Sequence, residues 1–111
     1  MKVKDLIDSQ LFELANEGDY PQTEITTPFC CDLLSIAMGK APEGCAWVTV
    51  MANLNTLAVA SLTDTACIIL AQGVHFDEAT QSKAAAEGIT VFTTDMPVFD
   101  AALALWKQMQ V

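Results

Sequence analysis

The sequence predicts an α/β chain, a Rossmann-like three-layer sandwich around a mainly parallel sheet of about four strands. Three observations carry this expectation. The short apolar runs Cys45–Val50, Cys67–Ala71 and Ile89–Thr93 lack alternation, as strands covered on both faces do. Stretches with helical spacing lie between them. Glycines and prolines punctuate the joins. Strands alternating with helices imply parallel pairing through right-handed crossovers. The expected order is α-β-α-β-α-β-α-β-α in a single domain spanning 1–111, with a helix in 1–19 and the core in 22–111.

The first helix is expected from Val3 to Asn16, because Val3, Leu6, Ile7, Leu11, Leu14 and Ala15 share one helical face. Gly18 ends it, and Tyr20-Pro21 turns the chain. Thr23–Thr27 is β-branched and short, a strand closed by Pro28. Asp32–Met38 is a short helix with Leu33, Leu34 and Ala37 inward and Gly39 at its end. After the Ala41–Gly44 loop comes the strand CAWVTV. Asn53–Leu62 follows as a helix with Leu54, Leu57, Ala58 and Ser61 inward. Thr63-Asp64 turns into the strand CIILA, and Gln72-Gly73 breaks it. Asp77 is the N-cap of a helix to Glu87, with Gly88 at C′. The last helix is expected over Asp95–Gln110, with Pro97 in its first turn and Phe99, Ala102, Leu103 and Trp106 inward.

Composition narrows the function. With 111 residues, 52% of them hydrophobic and 17% charged, the chain can bury a core without disulfide or metal staples and is not disordered. The net charge of −9 repels a phosphate backbone, so nucleic acid is not an expected partner; an anionic membrane is disfavoured likewise. Asp5, Asp8 and Glu13 interrupt any secretory core near the N-terminus. The apolar window Leu54–Val74 carries Asp64 at its centre, which opposes membrane insertion. Cys30, Cys31, Cys45 and Cys67 show no CxxC spacing, and a reducing cytoplasm suits them. With one histidine, no metal or cofactor is expected. GxxxxGK[ST], GxGxxG and GxSxG are all absent. Trp47 and Trp106 are placed on core faces, not interleaved with basic residues.

In a parallel sheet, ligands meet the rim at the carboxyl ends of the strands. Four loops are expected there: Pro28–Cys31, Met51–Asn55, Gln72–His75 and Thr94-Asp95. They supply the candidate ligand-binding residues Cys31, Asp32, Asn53, Asn55, Gly73, Thr94 and Asp95. Asp32, Asn53, Asn55 and Asp95 equally suit helix caps, the commoner role. His75 is a general-base candidate, and Cys30 or Cys31 near a helix start is a thiolate candidate. These loops hold no Lys or Arg, which a phosphate ligand usually recruits.

Cys31–Leu105 resembles the DRTGG domain family. The similarity runs through Cys31-Asp32-Leu33-Leu34-Ser35, Trp47-Val48-Thr49-Val50 and Asn53–Ala60. It continues in Cys67–Leu70 with Gly73, then Asp77-Glu78, Ala84 with Glu87-Gly88-Ile89, and Thr93-Thr94-Asp95. The resemblance implies a domain like the N-terminal domain of HPr kinase/phosphorylase, without the P-loop domain that carries kinase activity. It also implies a regulatory or dimerising role. The chain departs from the family pattern at Cys31, which replaces a glycine, at Ala52-Asn53, where a histidine is missing, and at Ala71-Gln72-Gly73, where the Thr-Gly-Gly turn is reduced. A glycine-rich turn lets ligand approach backbone, so its loss favours partner binding.

The function expected from these readings is a non-catalytic regulatory or assembly module that forms a homodimer or meets a protein partner. Met51, or a last-helix face carrying Leu105 and Met109, would supply the contact. The alternative is a small-ligand or nucleotide sensor using the strand-end rim. A thiol-dependent enzyme pairing Cys30 or Cys31 with His75 is the third reading.

Overall fold

Runs of apolar residues without polar alternation form the centre of the sheet. A computed structural model describes residues 1–110; Val111, the last residue of the expected domain, lies outside them. In chain order the elements are α1 (Val3–Ser9), β1 (Glu13–Asn16), β2 (Pro28–Cys30), α2 (Leu34–Lys40), β3 (Ala46–Thr49), α3 (Leu54–Leu62), β4 (Cys67–Leu70), α4 (Glu78–Glu87), β5 (Val91–Thr93) and α5 (Val98–Met109). The sheet has five strands in the order β1-β5-β4-β3-β2. β2, β3, β4 and β5 are parallel, and β1 closes the β5 edge antiparallel. The expected α/β sandwich with a mainly parallel sheet is present, and antiparallel β1 adds a fifth strand that makes the sheet mixed.

Successive parallel strands are laid down in one direction, so right-handed crossovers place α2, α3 and α4 on the same face. Side-chain alternation then divides the core. Ala46, Val48, Cys67, Ile69 and Phe92 face α1 and α5, meeting Val3, Leu6, Ala101 and Leu105. Trp47, Ile68, Leu70 and Val91 face the other helices, meeting Ala37, Leu57, Ala60 and Ala84. Trp47 is wholly buried, and its indole N–H donates to the Cys31 carbonyl at 2.9 Å. Asn53 caps α3 by accepting from the Asn55 and Thr56 amides. Asp77 caps α4, and the Thr80 N–H and hydroxyl hold its carboxyl below the usual range.

The first helix is shorter than its periodicity implies. Gln10 adopts a left-handed conformation (φ 57°), and its N–H closes on the Ile7 carbonyl. Residues 13–16 then form β1, with Glu13 opposite Thr93 and Leu14 opposite Phe92. The stripe from Val3 to Ala15 is also met by a short helix followed by a strand. Phe12, which lies off that stripe, reaches the core and meets Phe92 edge-on. Pairing with the open edge of β5 satisfies backbone groups that a longer helix would have satisfied internally.

Three other expectations need correction. Pro28 begins a strand instead of ending one, which the first residue of an edge strand permits. Thr23–Thr27 contributes only an isolated bridge between Glu24 and Lys2. The inward faces also differ. Leu33 is exposed beside α2 and Gly39 lies within that helix. On α3, Thr56, Leu57, Val59 and Ala60 are buried, while Leu54, Ala58 and Ser61 face outward. On α5, Pro97 is the N-cap, and Ala101 and Leu105 point inward. Phe99, Leu103 and Trp106 are exposed by 71%, 37% and 49%. Leu105 is therefore core and unavailable as a contact. Met109 packs against one core layer and Met51 against the other. Alanines at 101 and 102 pack on the core beneath α5 and let the helix settle closely on the sheet, which decides the face that its bulky residues cannot.

Candidate functional site

The carboxyl ends of β2–β5 share one rim with the start of antiparallel β1. The predicted residues divide between its two ends. On the β2–β3 side, Asp32 Oδ1 accepts from the Thr49 hydroxyl at 2.7 Å and the Val50 N–H at 2.9 Å. Asp32 does not cap α2, whose N-cap is Leu33 without a side-chain bond. It clasps the exit of β3 instead. Cys31 accepts from Trp47 through its carbonyl, and its thiol donates to the Leu33 carbonyl at 3.3 Å. Asn53 is engaged as a cap. Asn55 lies exposed in the first turn of α3. These groups build the loop, and none of them lines the cleft formed at the other end of the rim.

On the β4–β5 side the loops are knitted together. The Gln72 N–H donates to the Met96 carbonyl, the Gly73 N–H to Thr94, and the Thr94 N–H to Leu70. Gly73 has a φ of +74°, and a Cβ there would meet Asp95 Oδ1 at 3.2 Å. Asp95 is exposed and caps no helix, since α5 begins at Val98. Thr94 and Asp95 line a cleft of about 620 Å³. Ile7, Leu11, Phe12 and Leu14 supply its apolar lining, and Gln10, Glu13, His75 and Thr93 join the polar one.

Of the seven predicted site residues, Thr94 and Asp95 line this cleft and Gly73 shapes its edge. Sequence reasoning missed Gln10, Glu13 and Thr93. In the sequence Gln10 and Glu13 fall inside the stretch with helical spacing, and Thr93 falls at the end of an apolar run. The usable signal was Phe12, an aromatic off the helical stripe.

The thiol candidates do not meet the histidine. His75 lines the cleft beside β5 and β1, while Cys30 ends β2 at the opposite edge. Three strand spacings put β2 roughly 14 Å from β5. The Cys30 thiol is partly sheltered, although the residue reaches solvent. That shelter, and then the charge of Asp32, push its pKa up. Burial raises Cys45 as well and Cys67 much further. Iodoacetamide is therefore expected to modify Cys30 slowly at neutral pH, the rate climbing roughly tenfold per pH unit until the raised pKa is passed. Rapid, selective alkylation at pH 7 would contradict the thiol state. Among the described residues, no three His, Cys, Asp or Glu side chains are grouped to hold a metal ion.

No family model matches the chain, and no curated protein does. A solved structure shares the fold: the CBS and DRTGG domains of the regulatory region of Clostridium perfringens pyrophosphatase, complexed with the activator diadenosine tetraphosphate. The TM-score is 0.73 at 16% identity, over 92% of this chain and 44% of that chain. The likeness is one of fold, and this chain spans less than half the length of that one.

Proposed function

We propose that this chain is a non-catalytic, DRTGG-like regulatory domain that works by self-association. The observation that carries this reading is the outer face of α5. Phe99, Leu103 and Trp106 recur at helical spacing and stand exposed together. Contiguous apolar surface of this kind marks an interaction site. Asp100 and Lys107 flank the stripe, so this face is balanced in a chain of net charge −9. An antiparallel, two-fold pairing of α5 with a second copy sets Asp100 of one protomer near Lys107 of the other. The same pairing stacks Leu103 on its own counterpart. The fold shared with a regulatory region supports the broader reading, as does the separation of His75 from the thiols. Four free cysteines suit a reducing cytoplasm. No described helix is long and apolar enough to cross a membrane.

Sedimentation equilibrium tests this. The chain is expected to reach a two-subunit mass at micromolar protein. Trp106→Glu puts a charge inside the pairing, about one turn from the two-fold axis, and is expected to weaken it by about a hundredfold, or roughly 3 kcal/mol. A one-subunit mass throughout, or a dimer indifferent to Trp106→Glu, would overturn it. A second reading, a ligand sensor at the strand-end rim, is favoured by the cleft that Thr94 and Asp95 line.

A further inference from the structure

The cleft's chemistry selects against the phosphates that such a rim ordinarily attracts. Among the described residues, the Asp, Glu, Lys or Arg side chains along it are Glu13 and Asp95, both carboxylates. All five basic residues of the chain are lysines, and none lines it. Neither carboxylate forms an ion pair among the described residues.

Thr93 supplies an independent observation. Five threonines are buried. Thr49 and Thr56 donate to Asp32 and to the Met51 carbonyl. Thr80 bonds Asp77, and Thr90 accepts from the Gly18 N–H. Thr93, only 3% exposed, has no side-chain partner among the described residues and lines the cleft. Among the described residues no fully enclosed side-chain oxygen is left unsatisfied, so the Thr93 hydroxyl keeps some access to solvent where the residue lines the cleft. A sheltered hydroxyl without an internal partner is a place for a ligand atom. Glu13 lies directly across the antiparallel pair from Thr93, which puts the two side chains on the same face of the sheet.

We propose that this cleft binds a small organic ammonium ion, its charged head held by Glu13, Asp95 and the Thr93 hydroxyl and its apolar body on Leu11, Phe12 and Leu14. An ammonium group has three donors and no acceptor, which suits a cleft whose charged lining consists of acceptors. The volume lies in the range of small-molecule sites. This assignment rests on the rim reading above and names its ligand class.

Three probes of nearly one shape, 2-phenylethylamine, 2-phenylethanol and 3-phenylpropionate, with inorganic phosphate as a fourth, test it when titrated into the ¹⁵N-labelled full chain. The amine is expected to give saturable shifts at the amides of Glu13, His75, Thr94 and Asp95. The alcohol should bind at least about tenfold more weakly and the carboxylate not measurably. Glu13→Gln with Asp95→Asn should weaken the amine by about tenfold or more, with dispersion of the spectrum reporting that the fold is kept. Equal shifts from all three probes would overturn the charge assignment and leave an apolar cleft. Saturable shifts at the same amides from inorganic phosphate or the carboxylate alone would overturn the ammonium class while keeping the rim as a site. No saturable shift from any probe up to about 10 mM would sink both.

Discussion

Trp47→Ala is expected to remove about 3–5 kcal/mol of stability, a large share of what a domain of this size possesses. The indole fills the layer between the sheet and α2–α4, touching no solvent. Its removal leaves a cavity that neighbours on rigid strands cannot collapse into. It also strips the Cys31 carbonyl of its donor. That carbonyl lies in the loop leaving β2, next to the Asp32 clasp on Thr49 and Val50. The loss should therefore loosen β2 before the rest of the sheet. Urea unfolding with hydrogen exchange checks both statements. A cost below about 1.5 kcal/mol, or uniform loss of protection, would contradict the packing described.

Gly18→Ala should cost about 3 kcal/mol, although the residue looks like a simple helix stop in the sequence. Its Cα passes against the turn before β5. A Cβ there would strike the Gly88 carbonyl oxygen and lie 2.6 Å from the Thr90 nitrogen. Both obstacles are backbone and cannot rotate away. Segment 17–19 would have to lift, breaking the Gly18 N–H bond to Thr90 and the Asp19 N–H bond to Gly88. Gly39→Ala is the contrast. It lies inside α2 with no atom within 4 Å of the added carbon. That substitution should stabilise by about 0.5–1 kcal/mol. Thermal unfolding of the two variants is expected to move in opposite directions. Equal shifts would contradict the close approach at Gly18.

The parts of this fold that were legible are those decided locally. CAWVTV and CIILA are buried on both faces, so each displays an unbroken apolar run. Asn53, Asp77 and Gly88 serve as caps because their chemistry needs only the next turn of chain. What was hidden depends on partners distant in sequence. The break at Gln10 is settled by pairing of residues 13–16 with β5, some eighty positions later. Asp32 sits one residue before a helix cap, and only the neighbouring strand reveals that it holds Thr49. The rotation of α5 turns on how closely its alanines can approach β2 and β3, which apolar spacing cannot rank when Phe99, Leu103 and Trp106 offer an equally good stripe. The cleft was half legible. Its β5 wall was named through Thr94 and Asp95, and its β1 wall was concealed inside a helix that does not form.

These corrections change which surfaces are free to act. The expected contact through Leu105 is closed because that residue is core, and the bulky side of α5 faces outward in its place. The thiol chemistry loses its base, since His75 lies across the sheet from Cys30. What remains is a domain with a charge-balanced apolar face on α5 and an acidic cleft beside β5 and β1, on a strongly acidic body. Self-association through the first is the account's central claim. It is tested most directly by isotope-filtered NOE spectroscopy on an equal mixture of labelled and unlabelled chain. The account predicts intermolecular contacts from the Leu103 methyls to the Leu103 and Trp106 side chains of the second copy. Intermolecular contacts confined to another surface, or none at concentrations where the chain sediments as a dimer, would contradict it.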